Sequence, residues 1–153
     1  MDFIYKNNSP VIESEKKNIV LEPWAIVIDG LRVEMAWEYE KSGFLAYAHE
    51  TPELRIYQMR IEGYTVGFIP SSVADLSSEE LDFFGDLDVL VMPTSKLSIP
   101  LLEKIEPSFL ITYGESAHEL ATAMWVSEPQ VTKYKLREVD LSGEKMGVVV
   151  LWD

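Results

Sequence analysis

Three places in this 153-residue sequence hold side chains able to do chemistry. Ser116 and His118 stand between Glu115 and Glu119, which supplies a nucleophile, a base and a carboxylate to orient it. The spacing works against a relay. Residues i and i+2 of a helix point to different sides, and no G-x-S-x-G turn surrounds Ser116. His118 therefore reads as an exposed helical residue. Asp75, Glu79, Glu80, Asp82, Asp86 and Asp88 form an acidic run without a base among them. Such density suits a hard cation, but the loop grammar of a calcium site is missing. Glu79 and Glu80 fall instead in the first turn of a helix, where negative charge is favoured by the helix dipole. His49 lies beside Glu50 and before Thr51-Pro52, and reads as a solvent-facing loop histidine. The eight glycines make neither G-x-G-x-x-G nor G-x-x-x-x-G-K-[ST], so no phosphate loop is present.

Counting residues closes further routes. With no cysteine, disulfides, zinc-thiolate sites and thiol nucleophiles are excluded. Two histidines exclude a histidine-rich metal centre within one chain. The net charge of −13 is spread over the whole sequence, and no basic stripe exists to meet phosphates. Nucleic acid and anionic membrane are therefore not expected partners. The charge reads as a solubility feature. No stretch reaches the ~18 apolar residues of a membrane helix. Met1 to Lys6 lacks a basic segment followed by an apolar run, which predicts no signal peptide and a cytoplasmic location. Of the four tryptophans, most are expected in the core, with one or two left to anchor an interface.

The elements that must position these residues change character midway. Phe3–Lys6, Val11–Glu13 and Asn18–Glu22 read as short strands. Ala25–Ile28 and Leu31–Trp37 flank Asp29-Gly30, a pair suited to the positive φ angles of a two-residue hairpin. Leu54–Ile61 and Tyr64–Ile69 make a second hairpin about Glu62-Gly63. In its first arm Leu54, Ile56 and Gln58 share one face, and Arg55, Tyr57 and Met59 the other. Phe44–Ala48 is a further candidate strand. From there helices alternate with strands. Ser77-x-x-Glu80 is a capping box, with Leu76 and Leu81 at staple positions, so a helix runs from Ser78 to Phe84 and ends at Gly85. Asp88–Met92 and Phe109–Thr112 are apolar runs of buried-strand type. A helix opens at Ser98-Ile99-Pro100 and stops at Pro107. Another covers Glu115–Trp125, and Val131–Val139 and Met146–Trp152 close the chain as strands. One layered α/β domain over residues 1–153 is the expected outcome.

The order of these pieces resembles the metallo-β-lactamase superfamily, and within it the zinc-dependent hydrolases similar to ascorbate-6-phosphate lactonase. The opening strands with the turn Asn7-Asn8-Ser9 match a family turn that reads Gly-His-Ser. Leu21-Glu22-Pro23-Trp24 matches a strand ending in Asp-Pro. Tyr57–Val73 matches the hairpin that ends in Gly-Asp. Leu87–Pro93 matches an Asp-Val-Leu-hydrophobic-Pro strand, and Leu102–Tyr113 the helix and strand leading to the last histidine. The resemblance implies an αββα-type sandwich.

The same resemblance implies a lost metal site. The H-x-H-x-D-H loop does not occur, and Pro23-Trp24 runs almost directly into the Ile26–Val33 hairpin. The matching ligand positions are Asn8, Trp37, Ser71 and Gly114, none of them a zinc donor. The expectation is a non-catalytic pseudoenzyme without metal or cofactor, truncated in its N-terminal part. Its role would be that of a binding or structural subunit. The missing segment predicts uncovered sheet surface, and with it a protein partner or homo-oligomer using Trp24 and Trp37. The alternative is a metal-independent or residual hydrolase that binds a small molecule in the old cleft, lined by Ser71, Ser72, Tyr113 and Glu115.

Overall fold

The computed structural model describes residues 1–15, 17–33, 38–41, 44–50, 54–125 and 130–152. The first half is a run of strands: β1 (Asp2–Lys6), β2 (Ser9–Ser14), β3 (Lys17–Glu22), β4 (Ala25–Ile28) and β5 (Leu31–Val33). Then follow β6 (Glu38–Lys41), β7 (Phe44–Glu50), β8 (Arg55–Ile61) and β9 (Tyr64–Phe68). The second half interleaves α1 (Ser78–Phe84), β10 (Val89–Pro93), α2 (Ile99–Ile105), β11 (Phe109–Tyr113) and α3 (Ala117–Ala123). The short strands β12 (Gln130–Val131) and β13 (Lys133–Lys135) come next, and β14 (Gly147–Leu151) is last.

Two sheets result. The six-stranded sheet has the order β13-β1-β2-β3-β4-β5, and the eight-stranded sheet β12-β14-β11-β10-β9-β8-β7-β6. The six-stranded sheet is antiparallel throughout. In the eight-stranded sheet β9, β10, β11, β14 and β12 run parallel, so their C-terminal ends open on one edge.

Alternation along the strands sorts the side chains. Phe3, Ile12, Ile19, Leu21, Ile26 and Ile28 of the first sheet share one apolar cluster with Tyr57, Met59, Val66, Val89, Ile111 and Val149 of the second. The opposite face of the eight-stranded sheet, with Ile56, Leu90, Met92, Leu110 and Val148, packs against Phe84, Leu101, Leu102, Ile105 and Leu120 of the three helices. The expected two faces of β8 are therefore observed. Tyr57 and Met59 point to one cluster, Ile56 to the other, and Gln58 Nε2 reaches the Phe84 carbonyl of α1 at 3.0 Å. An α/β fold is thus what the chain forms. Among the described residues, however, no α-helix joins the cluster of the six-stranded sheet; only Leu141 of a 3-10 turn packs against it.

Local chemistry accounts for the boundaries. The Ser77 hydroxyl accepts from Glu80 N–H at 3.2 Å, and the Glu80 carboxylate accepts from Ser77 N–H at 2.9 Å. Gly85 ends α1 with φ +58. Turns Asn7-Asn8, Asp29-Gly30 and Glu62-Gly63 hold paired positive φ angles, the twist that two-residue hairpins need.

Three expectations are corrected. Val131–Val139 is not one strand: β12 pairs with β14 in one sheet and β13 with β1 in the other, so the chain changes sheets at Thr132. A 3-10 turn, Glu138–Leu141, follows. The strand β6 lies in a stretch that Gly43 and its polar residues make look like a connection. Of the tryptophans, Trp24, Trp125 and Trp152 are 50%, 96% and 53% exposed rather than in the core. Trp24 sits in a turn after Pro23, Trp125 at a helix end with φ +57, and Trp152 just beyond the last strand. Residues 34–37 of the expected Leu31–Trp37 strand lie outside the described residues.

Candidate functional site

The parallel strands of an α/β sheet present their C-terminal ends as a rim where loops converge, the usual place for a site in such sheets. Here the rim gathers the segments after β9, β10, β11 and β14. The first sheet contributes two turns to the same end. Tyr5, near the end of β1, packs at a tilt against Tyr113 at the end of β11, with ring centroids 5.7 Å apart. That contact places the Asn7-Asn8 turn by the end of β11. The turn between β3 and β4 is held there as well, because Arg55 Nη1 donates to the Trp24 carbonyl oxygen.

The expected site residues fall on this rim. Asn8 is exposed in its turn with φ +62. Ser71 is exposed in the bend after β9. Gly114 follows β11 with φ +95, a left-handed conformation suited to glycine, and its α-carbon faces Pro93 at the end of β10. Trp24 is half exposed beside them, and Trp37 lies outside the described residues. Tyr113 is buried, and burial, reinforced by Tyr5, raises its pKa. Glu115 is exposed.

Ser72 belongs to a hydroxyl cluster rather than to an open lining. Its Oγ lies 3.4 Å from Ser95 Oγ and 3.3 Å from Ser98 Oγ. Ser98 Oγ accepts from Ser95 N–H, and Ser95 Oγ from Leu97 N–H. Thr94 and Thr112 share a buried hydroxyl contact of 2.6 Å just below. The hydrogen bonds of this cluster run between hydroxyls and backbone amides. His118 lies on α3 against Gln130, whose Nε2 is 3.1 Å from its ring nitrogen Nε2. His49 is not in a loop but in β7, half-buried, with its ring 5.4 Å from Phe83. Its strand register against Ile56 turns it toward the helices and away from the inter-sheet face.

Part of the acidic run serves structure. Asp75 pairs with Lys104 at 2.9 Å and caps Leu76 N–H. The salt bridge first, then the amide, holds its carboxyl below the usual range. Asp88 accepts from Thr65 N–H at 2.9 Å. Among the described residues, no three His, Asp or Glu side chains gather where they could hold a metal ion.

Sequence reasoning passed over the most unusual group on the rim. Arg55 opens β8 and is only 9% exposed. Its Nη2 meets Glu50 Oε1 at 3.0 Å, and its Cζ lies 6.0 Å from the centre of the Trp24 ring. Two residues on, Tyr57 is fully buried. The two groups lie close enough to influence each other, but among the described residues neither Arg55 Nε nor the Tyr57 hydroxyl meets a partner in hydrogen-bond geometry. Burial works to lower the Arg55 pKa, but Tyr57 and Glu50 outweigh it and the value rises. Burial raises that of Tyr57, partly offset by Arg55. The signal was present in the alternation, which put a charged residue in register with core-facing Tyr57 and Met59.

The comparisons with known proteins bear on the fold. A crystal structure from Thermotoga maritima superposes with a TM-score of 0.78, over 99% of this chain and 98% of that one, at 15% identity. It is described as a candidate zinc-dependent hydrolase of the metallo-β-lactamase superfamily. The backbone of this chain is therefore folded like that hydrolase's, an α/β arrangement of two sheets. No family model matches the sequence, and no curated protein does. At that identity the likeness covers backbone architecture and carries no side-chain chemistry with it.

Proposed function

We propose that this chain is a metallo-β-lactamase-like binding or structural subunit without hydrolase activity. One observation carries the reading. The described positions that match the family's zinc ligands hold Asn8, Ser71 and Gly114, and among the described residues no group of carboxylates and imidazoles replaces them. Zinc must have several nitrogen or carboxylate donors before it binds and acidifies a water. The closer resemblance to the ascorbate-6-phosphate lactonase-like branch belongs to this reading, as do a single domain and a cytoplasmic location.

The proposed architecture is an αββα sandwich shortened in its N-terminal part. The outer face of the six-stranded sheet supports it. A row of residues crosses that sheet in register: Ile4, Val11, Val20 and Val27, with Lys133 at one end and Arg32 at the other. A shallow groove of about 330 Å³ runs along part of it. The natural occupant is a protein partner or a second copy, with Trp24 at the margin of the contact. The alternative, a metal-independent hydrolase, has less behind it, since the hydrogen bonds of Ser72 run to the Ser95 and Ser98 hydroxyls and not to a general base.

Metal analysis of the purified protein, with a screen on lactones, phosphodiesters and β-lactams, tests the reading. No stoichiometric metal and no turnover is the expected result. One equivalent of zinc or manganese, or metal-dependent hydrolysis, overturns it.

A further inference from the structure

A protein of net charge −13 holds one of its few arginines almost out of water, in the cleft between its two sheets. Three of its contacts are accounted for. Nη1 is spent on the Trp24 carbonyl, Nη2 on Glu50, and the face of the guanidinium on the Trp24 ring. Among the described residues, Nε meets no partner in hydrogen-bond geometry, and neither does the Tyr57 hydroxyl beside it. Two buried donors left unpaired on one side of a cation are costly to the fold, and native structures rarely keep them without a use.

Glu50 shows what this cation takes. A carboxylate fits a guanidinium best along one edge, two parallel N–H···O bonds from Nε and one Nη. Glu50 ends β7 and pairs in register with Arg55, so its carboxylate approaches from the strand and reaches Nη2 through one oxygen. Nε and the phenol stay unmet. The Glu50 side chain is 43% exposed, so it can leave without opening the core.

We propose that the Nε–Nη2 edge of Arg55, together with the Tyr57 hydroxyl, binds a small free carboxylate that displaces Glu50. An untethered carboxylate can span the edge that Glu50 cannot, and the phenol donates a third hydrogen bond to it. The half-exposed indole of Trp24, already against the guanidinium, offers a flat wall to a planar body attached to that carboxylate. Aromatic monocarboxylates are therefore the favoured class. The inference rests on the reading of this cleft as one that binds rather than hydrolyses.

The probes are sodium benzoate, acetate and sulfate, titrated by calorimetry into the 153-residue protein and its variants. Saturable one-to-one binding of benzoate, tighter than acetate, is expected. Tyr57→Phe keeps the ring and removes one donor to a charged acceptor, and should weaken benzoate by about tenfold. Glu50→Gln, at an exposed strand end, removes the competing carboxylate and should tighten it. No saturable binding, equal affinity for sulfate, or binding untouched by both substitutions overturns the proposal. Zinc uptake in the metal analysis would sink the pseudoenzyme reading instead, so the two failures are told apart.

Discussion

The Tyr57 phenol is a test of how much an unpaired group costs. Its ring packs in the inter-sheet core and stacks on Phe68 with centroids 6.1 Å apart, while its hydroxyl meets no partner in hydrogen-bond geometry among the described residues. Replacing it with Phe keeps the packing and removes a desolvated polar atom. Tyr57→Phe should therefore leave stability unchanged or raise it by about 1 kcal/mol, by urea denaturation. A loss larger than that would mean the hydroxyl is bonded in solution. Arg55 behaves in the opposite way. Arg55→Met strands the Trp24 carbonyl and unties the β3–β4 turn from the second sheet, so a loss of about 2–4 kcal/mol is expected. Together these variants separate what the cleft needs in order to fold from what it holds in reserve.

Elements were legible wherever a local rule coincided with the global one. Helix α1 could be placed from Ser77, Glu80 and Gly85 alone, because its cap hydrogen bonds form within three residues of sequence. Ser77→Ala should cost about 1 kcal/mol in thermal or urea unfolding. Hairpin turns were equally plain from Asp29-Gly30 and Glu62-Gly63. Sheet partnership was not, since β12 and β13 are neighbours in sequence that pair with strands of different sheets. The Arg55–Trp24 link was not legible, since it joins segments 31 residues apart and leaves no local trace. Close packing was invisible for the same reason. At Gly147 an added methyl would stand 2.4 Å from the Phe109 ring, which itself stacks on Tyr134. Gly147→Ala should destabilise by about 1–3 kcal/mol, because that ring cannot move without losing its own partner.

At the scale of the whole molecule two features act together at high pH, and they can be separated. Tyr57 and Tyr113 are buried between the sheets, and burial raises both pKa values above the ordinary tyrosine value. In the unfolded chain each ionises near pH ~10. A group whose pKa is higher in the folded state gives stability that is complete below the unfolded value. That stability is lost as pH rises from there through the folded value. Stability should thus hold to about pH 9 and fall above about pH 10. Absorbance near 295 nm should show some of the seven tyrosines failing to ionise until the protein unfolds. The net charge of −13 adds self-repulsion that also grows with pH. Salt distinguishes the causes: surface repulsion is screened within about 10 Å at 0.1 M, and ionisation inside the core is screened much less. A loss of stability above pH 10 that survives 0.5 M sodium chloride, and shrinks in Tyr113→Phe, assigns it to the buried phenols. If all seven tyrosines titrate together in the folded protein, the two sheets do not enclose them as described.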